Sequence, residues 1–149
     1  MQGRCCTESQ ISNHSNFDCK SYSHRSELLV LVVDSDADNL ELTSKVISYY
    51  GFSVITATNS QTALEIFQEY QPAIILVEIM LPDVDGIDLG RLVRRTASVP
   101  IIALTSLPGH LFHEQALRAG FNGYIEKPFE FETLEHVIIH CLNLKSFPF

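Results

Sequence analysis

Five short apolar runs alternate with segments of helical periodicity over most of the chain. The runs begin near Leu28, Ser53, Ala73, Pro100 and Asn122. Between them, apolar residues recur at steps of three and four, as they do along one face of a helix. This alternation predicts an α/β fold with a single doubly wound, five-stranded parallel sheet and five helices.

Two of the apolar runs, residues 28–33 and 73–77, contain no polar residue. Such runs are typical of parallel strands that are buried on both faces. Between the runs lie residue types that favour the beginning or the end of a helix. Helix N-caps are predicted at Asp36 or Asp38, at Asn59 and at Asp85, and helix C-terminal ends at Gly51 and Gly120.

Composition divides the chain into three parts. Residues 1–26 hold six serines and almost no apolar periodicity, which predicts a disordered polar tail. Residues 27–145 are predicted to form the only domain. Residues 146–149 form a C-terminal tail, and its apolar Phe147-Pro148-Phe149 sequence can dock on a partner or fold back on the sheet.

Charge is distributed unevenly along the chain. The net charge is −8, but residues 27–149 carry seven basic and sixteen acidic side chains and therefore a net charge of −9. A domain of this charge repels phosphates, so we expect no binding to nucleic acid. The acids near the strand ends suit a divalent cation or a basic partner, or form only a solvated rim: Asp34, Asp36, Asp38, Asp83, Asp85 and Asp88.

Cysteine spacing and hydropathy exclude further classes. The four cysteines show neither a disulfide framework nor the spacing of a Cys/His metal site. No apolar run is long enough to cross a membrane, and the N-terminus has no hydrophobic stretch like that of a signal peptide. We therefore expect a soluble, cytoplasmic protein that does not bind membranes.

Polar residues directly follow three of the predicted strands. Asp34 follows the first, Glu78 the third and Thr105 the fourth. In doubly wound sheets, ligands bind beyond the carboxyl ends of the strands, where the strand order reverses. The three residues therefore define a candidate site, although Thr105 can equally well hydrogen-bond the turn that follows it.

With the Lys127-Pro128 pair after the fifth run, this order of residues resembles the receiver domain of two-component response regulators. The resemblance covers residues 28–145. It implies that the position of Glu78 accepts a phosphoryl group from a histidine kinase, mainly through positioning and electrostatics. It also implies an acidic pocket of Asp34, Ser35 and Glu78, a catalytic set of Glu78, Thr105 and Lys127, and a switch pair of Thr105 and Tyr124.

Two residues depart from the family pattern. Ser35 stands where a second acid is expected, and Glu78 stands where the family has the phosphate-accepting aspartate. The glutamate carboxylate reaches about 1.5 Å further than that of aspartate, and a misplacement of about 1 Å can cost on the order of a hundredfold in rate. We therefore expect phosphorylation at residue 78 to be poor or absent.

The resemblance also implies a magnesium ion, which prefers carboxylate oxygens and water. Its ligands in this chain would be Asp34, Glu78 and the backbone carbonyl of Met80. Because Ser35 removes one carboxylate, we expect Mg²⁺ to bind weakly if it binds. No other cofactor is expected.

The preferred interpretation is a stand-alone pseudo-receiver that acts through protein–protein contacts and in which Glu78 partly mimics the phosphorylated state. It is expected not to be an enzyme, beyond residual self-phosphorylation and dephosphorylation. The alternative to this mimicry is that Glu78 and Lys127 form an ion pair that fixes the loop ends and has no signalling role. A conventional phosphorylatable response regulator is the second function class, and a small-ligand-binding flavodoxin-like module is the third.

Output is expected to come from contacts, because no recognisable output domain follows the last predicted helix. The expected partners are a histidine kinase, another signalling protein or a second copy in a homodimer. The resemblance places the contact face on the fourth helix, the fifth strand and the fifth helix. That face includes Tyr124, which can also be a simple edge-strand aromatic with its hydroxyl in water.

Overall fold

The computed structural model of the chain describes residues 25–142. In this range the strands are β1 (Leu29–Val33), β2 (Ser53–Ala57), β3 (Ile74–Val77), β4 (Ile101–Thr105) and β5 (Gly123–Glu126). The helices that alternate with them are α1 (Ala37–Tyr49), α2 (Ser60–Tyr70), α3 (Gly86–Arg94), α4 (Gly109–Arg118) and α5 (Phe131–Cys141). The strands form one parallel sheet in the order β2-β1-β3-β4-β5, which confirms the predicted fold.

Polar side chains begin three of the helices, as predicted. The Asp36 carboxylate caps α1, where it accepts hydrogen bonds from the N–H groups of Asp38 and Asn39 at 2.9 and 3.2 Å. Asn59 caps α2 and Asp85 caps α3 in the same way. After the C-terminal ends of α1 and α4 the backbone enters the left-handed region, with φ of 95° and 94°, at Gly51 and Gly120.

Two apolar clusters fill the two sides of the sheet. Strand β1 contributes to both, because successive side chains of a strand point to opposite faces. Leu31 and Val33 pack with α2, α3 and α4, whereas Val30 and Val32 pack with α1 and α5. This double burial explains why the run after residue 27 contains no polar side chain.

The sheet topology also places the candidate site. From β1 the chain continues to β2, which lies next to β1 at one edge of the sheet. From β2 it crosses to β3, which lies on the opposite flank of β1, so the strand order reverses between β1 and β3. Asp34 and Glu78 follow them directly, and the Glu78 N–H donates to the Val33 carbonyl at 2.8 Å. The two carboxylates therefore flank the crevice in which ligands of such sheets bind.

The domain begins earlier than predicted. Arg25 and Ser26 belong to the expected tail, yet Arg25 is 1% exposed, and its Nη1 donates to Glu135 at 2.8 Å and to the Tyr50 carbonyl at 3.0 Å. Its guanidinium also lies 5.2 Å from the centre of the Phe52 ring. The domain boundary after residue 26 is therefore corrected to include both residues. The rest of the predicted N-terminal tail, and the C-terminal tail with its apolar tag, lie outside the described residues.

The buried pair of Arg25 and Glu135 leads to a stability prediction. Changing Arg25 to alanine leaves the Glu135 carboxylate buried without its cation, and loss of one partner of a buried pair costs about 3–5 kcal/mol. We expect urea unfolding to show a loss of this size. Arg91→Ala, which breaks a half-exposed pair with Asp88, is the matched control and should cost about 0.2–1 kcal/mol. Equal losses in the two variants would show that Arg25 does not anchor the domain.

Candidate functional site

Three charged side chains meet at the carboxyl edge of the sheet. Asp34 follows β1, Glu78 follows β3 and Lys127 follows β5. The backbone fixes the position of the lysine, because the Lys127 N–H donates to the Thr105 carbonyl at 2.7 Å. The parallel sheet thus brings together residues that are 49 and 93 positions apart in the sequence.

Lys127 joins the two carboxylates. Its Nζ lies 2.6 Å from Asp34 Oδ2 and 3.2 Å from Glu78 Oε1. The side chains of Lys127, Asp34 and Glu78 are only 14%, 7% and 11% exposed. This single ammonium group holds together a buried arrangement of two negative charges and one positive charge. We call the contact of Lys127 Nζ with Asp34 and Glu78 the lysine bridge.

The remaining carboxylate oxygens also have donors. Glu78 Oε2 accepts from the N–H of Ile79 at 2.7 Å and, at the longer distance of 3.5 Å, from that of Met80. Asp34 Oδ1 accepts from the N–H of Asp36 at 2.9 Å. Each of the four oxygens therefore has at least one hydrogen-bond donor, which offsets part of the cost of burying the charges.

The lysine bridge keeps Lys127 protonated. Burial by itself lowers the pKa of this ammonium group, but the hydrogen bond that it donates to Asp34, the charge of Glu78 and the remaining interactions with both acids outweigh it. The net effect raises the pKa of Lys127 above its ordinary value of 10.5. The positive charge between the carboxylates therefore persists at neutral and mildly alkaline pH.

Other predicted site residues do not join the bridge. The Thr105 side chain is fully buried, and its hydroxyl accepts from the Leu107 N–H at 3.1 Å, which is the turn-forming role considered above. Tyr124 is 38% exposed and its ring packs edge-on against helix α4. Ser35 is exposed, and the Met80 N–H lies 3.5 Å from Glu78 Oε2. Roles for these four residues in phosphoryl transfer or switching remain predictions.

Sequence reasoning missed the role of Glu126 at the start of α4. The residue before the helix is Pro108, whose side chain makes no capping hydrogen bond. Instead, Glu126 Oε1 accepts from the Gly109 N–H at 2.9 Å. A carboxylate at this end of a helix is also favoured by the helix dipole. The sequence holds one local signal for this contact. Pro108 at the cap position of α4 has no polar side chain, so an acceptor has to come from another part of the chain.

Gly109 also leaves room for the ring of Tyr124. A Cβ atom at this position would lie 2.6 Å from three atoms of the Tyr124 side chain, two of the ring and the hydroxyl oxygen. The ring therefore rests where only glycine allows it, with its centre 5.6 Å from that of Phe112 and 5.5 Å from that of His113. Alternate residues of β5, Tyr124 and Glu126, thus hold the first turn of α4.

Asp83 caps a helix as well, although its spacing suggested a cation or a basic partner. Its two carboxylate oxygens accept from the N–H groups of Ser60 and Gln61 at 3.0 and 3.1 Å. The hydrogen bond from Ser60 is the main cause that lowers the pKa of Asp83 to about 2. The loop after Glu78 is therefore tied to the N-terminus of α2, and Asp83 serves this structural role at the sheet edge.

A five-stranded parallel sheet of this order, with two acids and a lysine at its switch point, defines a receiver-type signalling domain. The chain matches the family model of the response regulator receiver domain over residues 30–139. It is 33% identical over 106 residues to a probable transcriptional regulator ycf27 of Guillardia theta, across 71% of this chain and 42% of that protein. It is 35% identical over 101 residues to the DNA-binding response regulator MtrA of Mycolicibacterium paratuberculosis, across 68% of this chain and 45% of that protein.

Solved structures agree with this assignment. A two-component response regulator from Clostridium difficile superposes with a TM-score of 0.75 at 27% identity, over 78% of this chain and 96% of that one. The chain therefore belongs to the response regulator receiver domain family of two-component signalling. It spans less than half the length of the two curated relatives named above. Within residues 25–142, no helix is both long enough and apolar enough to cross a membrane.

Receiver domains generally bind Mg²⁺ at the phosphorylation site, and the residues of this site fit that ion poorly. No group of three or more His, Cys, Asp or Glu side chains within the described range is arranged to hold a metal ion. Asp34 and Glu78 are the two carboxylates at the site, and the Lys127 ammonium already lies between them. A cation bound by both acids would have to displace or approach this positive charge.

The raised pKa of Lys127 gives a prediction of pH dependence. A lysine whose pKa is higher in the folded protein stabilises the fold fully below its ordinary value of 10.5, and this contribution is lost as the pH rises through the folded pKa. Lys127→Met should lower the free energy of unfolding at pH 7 by about 3–5 kcal/mol, because two buried carboxylates lose their cation.

The difference in unfolding free energy between native protein and Lys127→Met should stay constant from pH 7 to 10 and narrow above the ordinary lysine pKa of 10.5. Chemical denaturation at a series of pH values measures it. The matched control is Lys45→Met, which removes an exposed lysine paired with Glu41 on α1. A loss at pH 7 no larger than that of this control would contradict the lysine bridge.

Proposed function

We propose that the chain acts in two-component signalling as an atypical pseudo-receiver whose site is set by the lysine bridge rather than by a phosphoryl group. The observation that carries this proposal is the contact of one ammonium group, Lys127 Nζ, with Asp34 at 2.6 Å and Glu78 at 3.2 Å. In a receiver, the lysine is expected to bind a phosphoryl oxygen. Here the longer side chain of Glu78 supplies an oxygen of its own to that lysine.

The orientation of Glu78 supports poor phosphorylation. One of its oxygens faces Lys127, and the other is bound by the N–H of Ile79 at 2.7 Å. Attack on a phosphodonor requires a carboxylate oxygen about 3–3.5 Å from phosphorus in a favourable direction. The contacts on both oxygens fix the orientation of the Glu78 carboxylate and so restrict its movement into that arrangement.

The switch residues support a resting arrangement rather than an imitation of the phosphorylated state. The Thr105 hydroxyl is bound to the Leu107 N–H, and Tyr124 packs outward against α4. Glu78 also brings one negative charge, whereas a phosphoryl group brings nearly two. We therefore propose that Glu78 and Lys127 fix the site without drawing these two residues toward it.

The same geometry leads to proposals about magnesium binding and about enzymatic activity. We propose that Mg²⁺ binds weakly, because Ser35 contributes no carboxylate and Lys127 offsets part of the negative charge of the two acids present. Self-phosphorylation and dephosphorylation would then be residual at most, and the domain would act as a binding module. Ser35 is exposed, so an acid at this position has room to restore part of the site.

We propose that output passes through protein contacts of the domain. The face formed by α4, β5 and α5 exposes Leu111, Leu117 and Tyr124 by 61%, 55% and 38%. Receiver domains contact histidine kinases and dimerise, and either partner, or another signalling protein, suits this face. The net charge of −9 over residues 27–149 argues against direct binding of the domain to nucleic acid.

A conventional phosphorylatable receiver is the second candidate, and family membership over residues 30–139 favours it. Incubation with a small acyl-phosphate donor, with and without Mg²⁺, separates the two functions when intact mass is recorded. Native protein should stay unmodified. Glu78→Asp should gain one phosphoryl mass, and Glu78→Asp with Ser35→Asp should gain it faster and depend more strongly on Mg²⁺.

The aspartate variants test the assignment of residue 78 to the phosphate-accepting position. A magnesium-dependent adduct on the native chain would contradict the pseudo-receiver proposal and favour the conventional function. If none of the three proteins were modified, the assignment of residue 78 to the phosphate-accepting position would be wrong.

A further inference from the structure

The loop that leads from β4 into α4 is attached to the end of β5 at both of its ends. At the first end, the Lys127 N–H donates to the carbonyl of Thr105, the last residue of β4, at 2.7 Å. At the second end, Glu126 Oε1 accepts from the N–H of Gly109, the first residue of α4, at 2.9 Å. While both hydrogen bonds persist, the loop of residues 106–108 and the first turn of α4 stay on β5.

This loop also lies beside the lysine bridge. Ser106 lines a cavity of about 340 Å³ that Glu78 and Lys127 line as well. Within the loop, the Thr105 hydroxyl accepts from the Leu107 N–H at 3.1 Å. The loop therefore lies between the buried charges and α4, and its helical end is fixed by the glutamate that precedes the bridging lysine.

Helix α4 depends on this glutamate because it has no cap of its own. The N-cap side chains of α1, α2 and α3 each accept a hydrogen bond from the helix that they begin, whereas Pro108 makes none. The first turn of α4 also contains no acid. The Glu126 carboxylate therefore supplies both an acceptor and the negative charge that the start of a helix favours.

Gly109 is contacted by a second side chain of β5. Tyr124 lies two positions before Glu126 in the strand, so both side chains point to the same face of the sheet. A Cβ atom on Gly109 would lie 2.6 Å from the Tyr124 side chain, so the ring packs directly on the glycine. Its centre is 5.6 Å from that of the Phe112 ring, one turn further along α4. Release of the Gly109 N–H therefore also loosens the surface on which the Tyr124 ring packs.

The exposure of Glu126 allows this contact to open. Glu126 is exposed, whereas the acids of the lysine bridge are buried. Loss of a helix cap shifts the equilibrium between the capped and uncapped arrangements by about fivefold. A contact of this strength decides which arrangement predominates and still leaves the other one accessible.

We propose that the hydrogen bond between Glu126 and Gly109, which we call the α4 latch, holds the first turn of α4 on β5 and thereby keeps the Tyr124 ring outward. This inference rests on the resting arrangement of the switch residues proposed above and names the contact that maintains it. Opening of the latch frees the loop before α4 and the Tyr124 ring together, so the contact face changes its shape there. Glu126 is a positioning residue, since it acts on the ring through Gly109.

NMR spectra of the full-length protein, without phosphodonor or Mg²⁺, test the latch. Glu126→Ala should speed hydrogen exchange of the Gly109 amide by about fivefold and weaken the nuclear Overhauser effects between Gly109 and the Tyr124 ring. The Leu107 amide signal should shift as the loop is freed. Glu126→Gln keeps a carbonyl oxygen and should restore part of the protection. The matched control, Glu130→Ala, should change none of these signals, because this exposed glutamate at the N-cap of α5 makes no capping hydrogen bond.

A second variant acts on the latch through the ring. Gly109→Ala adds a Cβ atom where the Tyr124 side chain lies, so the ring or the helix has to move. Alanine favours a helix more than glycine does, and circular dichroism checks that each variant is folded. We expect the nuclear Overhauser effects between the Tyr124 and Phe112 rings to weaken. Adding Glu126→Ala should change them little further, because two changes to one shared contact are not additive.

Three results would overturn the proposal. Unchanged Gly109 exchange in Glu126→Ala would show that the contact does not hold α4. Faster Gly109 exchange with unchanged Tyr124 and Leu107 signals would show that Glu126 only caps the helix. An equal response to Glu130→Ala would show a general effect of a lost charge. A phosphoryl adduct on the native chain would contradict the pseudo-receiver proposal without altering these readings, so the two proposals can fail separately.

Discussion

The contact of Lys127 with Asp34 and Glu78 is the interaction on which this edge of the sheet depends. Two carboxylates placed at neighbouring strand ends in a buried position repel each other and lose their hydration. The ammonium group between them, at 2.6 and 3.2 Å, offsets both costs at once. Because the acids follow β1 and β3 and the lysine follows β5, the same contact also ties the carboxyl ends of three strands together.

The positions of the neighbouring elements follow from similar side-chain contacts. Glu126, which directly precedes the bridging lysine, binds the first turn of α4 through the Gly109 N–H. Asp83 binds the first turn of α2 and so restrains the loop that follows Glu78. Acids that looked like a diffuse negative rim in the sequence are therefore used for different purposes. Some pair with a lysine and others cap helices.

The repeating parts of the structure could be predicted from sequence because they depend on local patterns. Apolar runs predicted the buried strands, and Asp36, Asn59 and Asp85 predicted the starts of three helices. The side-chain partners of Arg25, Glu126 and Asp83 could not be predicted in this way. Arg25 binds Glu135, which is 110 residues away, and such a contact depends on how complete elements pack. Glu126 and Asp83 each cap a helix that is distant in sequence, so no spacing rule identifies them.

The site could be predicted from the sequence only in part. The order of Asp34, Glu78 and Lys127 was sufficient to place them together, but the direction of the Thr105 hydroxyl and of the Tyr124 ring required the coordinates. The most direct test of the central claim is the amide NMR spectrum of α4 and β5 before and after addition of beryllofluoride and Mg²⁺, which imitate a bound phosphoryl group. We predict no change for the native protein and a clear change for Glu78→Asp. Shifts of the Thr105, Gly109 and Tyr124 signals in the native protein would show that its site still switches, and would contradict the account.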